Sequence, residues 1–170
     1  MNTPANPEEG IKDIDPLPTA ERISTLLGSL LSRSVTVEKG SAVVALDRKS
    51  IVALYACNEG ALRAVFISDL DFAINAGSAL SLFPPAIVAK NLKEGQLTEE
   101  SFDNFKEILN VCTRLVRESM SLHLSLNGIF LPTEPLPNDV ASRFSLATAR
   151  RDFNIQVEGY GSGKVAVLAF

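Results

Sequence analysis

Three polar residues with helical spacing, Asp103, Glu107 and Asn110, are the strongest candidates for chemistry in this 170-residue sequence. In a helix formed by SFDNFKEILNVCTRLVRE, they lie within about 60° of one another around the axis. The apolar residues of the segment fall on the opposite side: Phe105, Leu109, Cys112 and Val116. We call Asp103, Glu107 and Asn110 the polar ridge, and its geometry is compatible with insertion into another protein's cleft.

The polar ridge has two interpretations. Every amphipathic helix has a polar face, so the ridge could be no more than a solvated surface. Asn110 favours the functional interpretation, because asparagine is a poor helix former in mid-helix and a solvent-facing Lys, Glu or Gln would serve better.

Other segments with possible chemistry fail on their spacing. Gly161-Ser162-Gly163-Lys164 resembles part of a phosphate loop, but Glu158 stands where the first glycine is needed and Val165 where Ser or Thr is needed. We interpret this segment as a hairpin turn between two strands. The single histidine, His123, lies in an alternating strand pattern and has no neighbouring ligand residue, so it predicts neither catalysis nor a metal site.

The composition is that of a globular domain, with 46% hydrophobic and 21% charged residues. The net charge of −4 argues against a nucleic-acid-binding surface, and no apolar run approaches the roughly 20 residues needed for membrane insertion. No signal peptide is visible. Cys57 and Cys112 lie in apolar runs and predict free thiols, so we expect a cytoplasmic protein.

Several elements must position the ridge. Residues 1–18 are proline-rich and predict a flexible leader, and residues 19–170 predict a single domain. A helix capped by Thr19 is followed by strand-like runs at 34–40, 42–46, 50–57 and 61–68, for which an antiparallel meander is expected.

Helices are then predicted after Asp69, over 86–93 up to Gly95, and from the Thr98 cap through the ridge. Alternating strands near both 121–131 and the C-terminus complete an α+β fold, with helices packed on a largely antiparallel sheet. The last run, KVAVLAF, is apolar on both strand faces. It is therefore either central in the sheet or covered by a partner subunit, which makes a homodimer possible.

The segment Asp103-x3-Glu107-x2-Asn110 resembles the Asp/Ser-x3-Glu-x2-Asn signature of the CheC/CheX/FliY phosphatases of bacterial chemotaxis. As in that family, the motif lies in a long helix followed by a strand, and Pro132 falls close to the position of a family proline. The order of elements over residues 19–170 also agrees. In the first helix, Glu21 and Ser24 form a weaker second copy of the motif, as in CheX-like members with one competent site.

The resemblance implies a phosphatase acting on the phospho-aspartate of a response-regulator receiver domain. Asn110 would orient the attacking water, Glu107 would pair with the receiver's lysine, and Asp103 would support the rim of that contact. The chain would need no cofactor of its own, since the receiver supplies Mg²⁺. In place of the small residues that often follow the family's asparagine, this chain has Val111-Cys112-Thr113-Arg114-Leu115.

Two other classes of function are compatible with the sequence. A non-enzymatic CheX-like protein would use the same fold as an interaction or dimerisation module, and exposure of Glu107 and Asn110 side by side distinguishes the two. A small-molecule-binding protein would instead have a deep apolar pocket between the helices and the sheet.

Overall fold

A computed structural model of the chain describes residues 15–40 and 49–170. Within them, helices pack on a six-stranded antiparallel sheet, as the α+β prediction requires. The helices are α1 Ala20–Leu31, α2 Leu70–Leu80, α3 Pro85–Glu94, α4 Glu99–Met120 and α5 Asn138–Arg143, followed by a 3-10 turn at Phe144–Leu146. The strands are β1 Val35–Lys39, β2 Ser50–Cys57, β3 Leu62–Asp69, β4 Leu124–Phe130, β5 Ala149–Val157 and β6 Gly161–Ala169.

The predicted helix starts are confirmed. The side chains of Thr19, Asp69 and Thr98 accept hydrogen bonds from backbone N–H groups in the first turns of α1, α2 and α4. Helix α3 ends at Gly95, whose φ of 60° allows the left-handed cap. Helix α5 was not predicted, because its short segment follows a proline-rich stretch without a clear period.

The strand order is β1-β5-β6-β3-β2-β4, with all neighbours antiparallel. The meander prediction holds for β2 and β3 but is wrong for β1, which pairs with β5 at the far edge. Strand β1 is apolar on one face only, whereas β2 and β3 are buried on both faces and take inner positions. The predicted strand at 42–46 lies outside the described residues.

Both faces of the sheet carry an apolar core, although the second face is covered only over β2, β3 and β6. The larger core lies between one face and helices α1, α2 and α4. On the other face, a smaller cluster includes Val65, Ile67 and Leu168 and is covered by side chains around α5, among them Val140 and Phe144. Strand β6 is therefore central, and the chain itself covers its second face without a partner subunit.

Two sequence predictions need correction. The segment at 161–164 is the start of β6, and the turn before it is Glu158-Gly159-Tyr160. Its glycine permits close packing, because a Cβ at Gly163 would lie 2.4 Å from the Cβ of Phe72. The predicted leader is also too long: Leu17 is buried and Asp15 pairs with Arg151, so packed structure includes residues 15–18. Residues 1–14 of that leader lie outside the described residues.

Candidate functional site on helix α4

Helix α4 is the longest described helix, with 22 residues. Its predicted apolar face is buried against the sheet and α2, including Phe105, Leu109, Cys112 and Val116. Glu99 and Glu100 in the first turn interact favourably with the positive end of the helix dipole. The periodicity that buries one face leaves the opposite face free for interaction.

All three residues of the polar ridge are exposed on that opposite face. Asp103 forms an ion pair with Lys106, with 2.5 Å between Oδ1 and Nζ. The side chains of Glu107 and Asn110 have no hydrogen-bond or ion-pair partner among the described residues. A separation of three residues places their Cβ atoms about 5–6 Å apart, so a carboxylate and a primary amide lie side by side.

The backbone beneath this pair is held firmly. The buried Tyr55 hydroxyl on β2 donates a hydrogen bond of 2.8 Å to the carbonyl oxygen of Leu109, the residue before Asn110. On the opposite, buried face of α4, the rings of Phe72 and Phe105 pack edge to face at 5.8 Å. Glu107 and Asn110 are therefore presented from a rigid element, which reduces the entropy lost when a partner docks.

Helices α2 and α4 cross at a very short distance near the start of the ridge. A Cβ at Gly77 would lie 2.2 Å from the carbonyl oxygen of Ser101. Asn104 adds two bonds across this crossing, from Nδ2 to the Gly77 carbonyl at 3.0 Å and to Ser81 Oγ at 2.6 Å. The α2–α4 contact thus sets where the ridge stands on the molecule.

A cluster of charges continues the ridge at its C-terminal end. Arg114, one turn after Asn110, is exposed and donates from Nε to Glu118 at 2.8 Å. Glu118 also pairs with Arg22 of α1. Hydrogen bonds from Arg114 and then Arg22 lower the pKa of Glu118, so the carboxylate stays ionised and links α4 to α1.

The residues that follow Asn110 affect the surface less than their sizes suggest. Cys112, Thr113 and Leu115 are buried, and Val111 is half-buried. Arg114 is the one exposed residue of this segment, so the departure from the family pattern changes the outer surface mainly by one cation.

The weaker second motif on α1 does not form a second site. Leu17, which takes the place of the motif's first Asp or Ser, is buried in the core, and the Ser24 hydroxyl donates to the carbonyl oxygen of Val35. Glu21 is exposed, but no asparagine stands three residues after it, because Ser24 takes that position. Among the described helices, α4 alone carries an exposed Glu and Asn three residues apart.

A groove with a volume of about 920 Å³ lies at one end of the sheet. Its lining includes Lys49, Asp69, Glu94 and Glu99, and Pro132 borders it beside the start of α4. Apolar side chains such as Leu70, Leu97 and Phe102 also line it. The groove is open to solvent, however, and is not the deep, enclosed pocket between helices and sheet that small-molecule binding would favour.

The remaining candidates offer no alternative site. His123 is exposed and interacts with Arg117, with 3.2 Å between Nδ1 and Nη2. Across residues 15–40 and 49–170, no group of three or more His, Cys, Asp or Glu side chains could hold a metal ion. No helix in the same ranges is both long and apolar enough to cross a membrane.

Known proteins resemble this chain in fold and not in sequence. No protein-family model matches the sequence, and no curated protein matches it. Solved structures do match. The FliM middle domain from H. pylori has 10% identity and a TM-score of 0.60, with 88% of this chain and 84% of that chain covered.

Two chemotaxis-related structures match over almost the whole chain. A chain of the CheX-CheY-BeF3-Mg²⁺ complex from Borrelia burgdorferi is 11% identical, with a TM-score of 0.52 and coverage of 94% of this chain and 98% of that chain. A CheC-like superfamily protein from Shewanella sp. PV-4 is 8% identical, with a TM-score of 0.51 and coverage of 93% and 98%. The chain has a CheC/CheX-like fold. At such identities the likeness concerns the fold, and activity has to be argued from the polar ridge.

Proposed function

We propose that this CheC/CheX-like chain is a phosphatase that hydrolyses the phospho-aspartate of a response-regulator receiver domain in the cytoplasm. The observation that carries the proposal is the exposed Glu107–Asn110 pair, which has no partner among the described residues and stands on a firmly packed helix. The CheX-CheY-BeF3-Mg²⁺ complex among the similar structures supports a receiver as the partner.

The chemistry assigns one task to each ridge residue. The Asn110 amide has both a donor and an acceptor, so it can hold a water in line with phosphorus without being ionised. Attack by that water breaks the bond between phosphorus and the aspartyl oxygen, and inorganic phosphate and a free carboxylate result. Glu107 pairs with the receiver's lysine, and Asp103 supports the rim of the contact.

Mg²⁺ belongs to the receiver in this proposal. It neutralises charge on the phosphoryl oxygens, and the chain adds only an oriented water and a docking contact. A homodimer, which the sequence left as one of two possibilities, is not needed for this step.

The experiment is a single-turnover dephosphorylation assay over a titration of phosphorylated receiver domains. Asn110→Ala should fold normally, still bind the receiver and lose most of the rate acceleration, since misplacing a reacting group can cost about a hundredfold. Glu107→Ala should weaken docking, so its defect should shrink as the receiver concentration rises.

Matched controls separate the ridge from the general surface. Asn138→Ala removes an exposed amide from α5 on the other side of the sheet, and Glu59→Ala removes an exposed carboxylate from the β2–β3 turn. Both should retain the wild-type rate. Wild-type turnover by Asn110→Ala, on a receiver that the wild-type chain dephosphorylates, would refute the mechanism.

A non-enzymatic function is the second candidate, and the similarity to the FliM middle domain favours it. Among the similar structures is a FliG-FliM complex from H. pylori, in which the same fold contacts another protein. Receiver binding by the wild-type chain without any acceleration of dephosphorylation would support this interaction module over the phosphatase.

A further inference from the structure

The turn between α2 and α3 exposes large apolar side chains. Leu82 is 69% exposed, and Ile87 at the start of α3 is 47% exposed. Leu82 has φ of 56°, a left-handed conformation that is uncommon for a leucine. We call residues 82–85, Leu-Phe-Pro-Pro, the apolar turn. This conformation closes α2 in a Schellman cap, so the backbone is explained by the end of the helix. The exposed apolar side chains of Leu82 and Ile87 are the feature that indicates a contact surface.

The apolar turn is held in place on several sides. The backbone N–H of Leu82 donates to Ala79 O at 3.2 Å, and that of Phe83 donates to Ser78 O at 3.0 Å. Tyr160 lies in the turn before β6, and its hydroxyl donates a hydrogen bond of 3.1 Å to the carbonyl oxygen of Phe83. Two prolines follow and restrict the backbone further. Binding through Leu82 would therefore order very little additional chain.

This turn is continuous with the polar ridge. A shallow cleft lined by Phe83, Thr98, Glu99, Glu100, Asp103 and Asn104 joins the two. The bond from Asn104 to Ser81 fixes the turn directly against α4, beside the first ridge residue. A partner covering Asn110 and Glu107 would need to extend only about 10 Å along α4 to reach this cleft.

The cleft has a distinct charge. Glu99, Glu100 and Asp103 are exposed around it, and its lining contains no basic side chain. A complementary surface would place lysine or arginine side chains around an apolar pocket. The apolar turn and its acidic border thus specify the chemistry of the occupant.

We propose that the apolar turn is a second anchor for the receiver that docks on the polar ridge. Leu82 inserts into an apolar pocket of the receiver, and basic side chains around that pocket face Glu99 and Glu100. This inference rests on the proposed function and adds to it a determinant of which receiver is chosen. Anchors of this kind, desolvated and surrounded by weaker contacts, dominate binding energy at interfaces.

The test measures affinity for Mg²⁺-loaded, beryllofluoride-activated receiver domains by titration. Leu82→Asn removes the apolar side chain, and asparagine tolerates the left-handed backbone. Leu82→Gly is a second variant that fits the same conformation. Both should have a melting temperature at or above that of the wild type, because Asn and Gly adopt the left-handed backbone more readily than Leu. Both should weaken binding about tenfold, which corresponds to about 1.4 kcal/mol.

The matched control is Leu146→Asn, since Leu146 is 70% exposed and lies beside the cluster on the opposite sheet face. It should bind as the wild type does. The double variant Glu99→Gln, Glu100→Gln should weaken binding at low salt and have little effect at high salt.

The outcomes separate this inference from the proposed function. If both Leu82 variants bind the receiver like the wild type, the second anchor is refuted while the phosphatase proposal stands. If the Leu82 variants bind weakly and Asn110→Ala binds normally but turns over slowly, both proposals are supported. If the wild-type chain binds no activated receiver, both proposals are refuted.

Discussion

The exposed polar side chains of α4 differ in whether they have a polar partner within the fold. Asp103 pairs with Lys106, and Arg114 pairs with Glu118, but Glu107 and Asn110 have no such partner among the described residues. Residues that stabilise the chain by polar contacts would be expected to have partners. The absence of partners within the described structure therefore makes Glu107 and Asn110 separable from folding.

Single substitutions on the two faces of α4 should have opposite consequences for stability. Phe105 is fully buried, so Phe105→Ala should lower the free energy of unfolding by about 3–5 kcal/mol. Glu107→Ala should change it by less than about 0.5 kcal/mol, because exposed side chains without partners contribute little. Denaturant unfolding of both variants checks this, and a large loss in Glu107→Ala would mean that the ridge is structural.

At the scale of elements, the crossing of α2 and α4 decides where the ridge is displayed. The carbonyl of Ser101 approaches the backbone of Gly77 so closely that no side chain fits between them. The hydroxyls of Ser78 and Ser101 lie 3.3 Å apart at the same crossing. Small residues at this contact allow the backbones of α2 and α4 to approach closely, and hydrogen bonds from Asn104 connect the two helices.

Gly77→Ala should therefore push the helices apart. Overpacking of a tight contact costs about 1–3 kcal/mol, and the shift should also lengthen the bonds from Asn104 that hold the apolar turn. Thermal unfolding measures the loss of stability. The matched control is Gly128→Ala in β4, where a Cβ would lie 3.4 Å from the ring of Phe130, an ordinary van der Waals contact, and the stability should change little. A Gly77→Ala chain as stable as the wild type would contradict the close crossing.

At the scale of the whole molecule, packing separates the two cysteines. Cys112 is buried between α4 and the sheet, and burial raises the pKa of its thiol to about 12. Cys57 lies half-buried at the end of β2, and a backbone hydrogen bond from Glu59 is the main cause that lowers the pKa of its thiol. The thiolate is the reactive form, so the two should react at very different rates.

Alkylation with iodoacetamide near pH 8 should modify Cys57 rapidly in the native chain. Cys112 should react only through global unfolding, because its exposure requires the helical layer to separate from the sheet. Mass spectrometry of the two peptides over time measures this. Cys57→Ser provides the control with Cys112 alone, and rapid labelling of that variant under native conditions would contradict the packing.

Much of the local structure followed from the sequence. The cap residues Thr19, Asp69 and Thr98 and the 3.6-residue apolar period determine where three helices begin and which face of α4 is buried. The exposure of Asp103, Glu107 and Asn110 follows from the same period. Local rules suffice here because the burial of one helical face depends mainly on spacing along the chain.

Tertiary structure decided the features that depend on which elements meet. The place of β1 beside β5, the role of Gly163 as a close contact with Phe72, and the cover that α5 gives to the second sheet face all involve residues far apart in sequence. The apolar turn belongs with them. Leu82 is an apolar residue in an apolar segment, LSLFPP, and the sequence alone would assign it to the core. The fold places its side chain in solvent, because hydrogen bonds from Tyr160 and Asn104 hold this part of the chain beside the polar ridge. Periodicity shows which face of an element is apolar, but not what, if anything, will cover it.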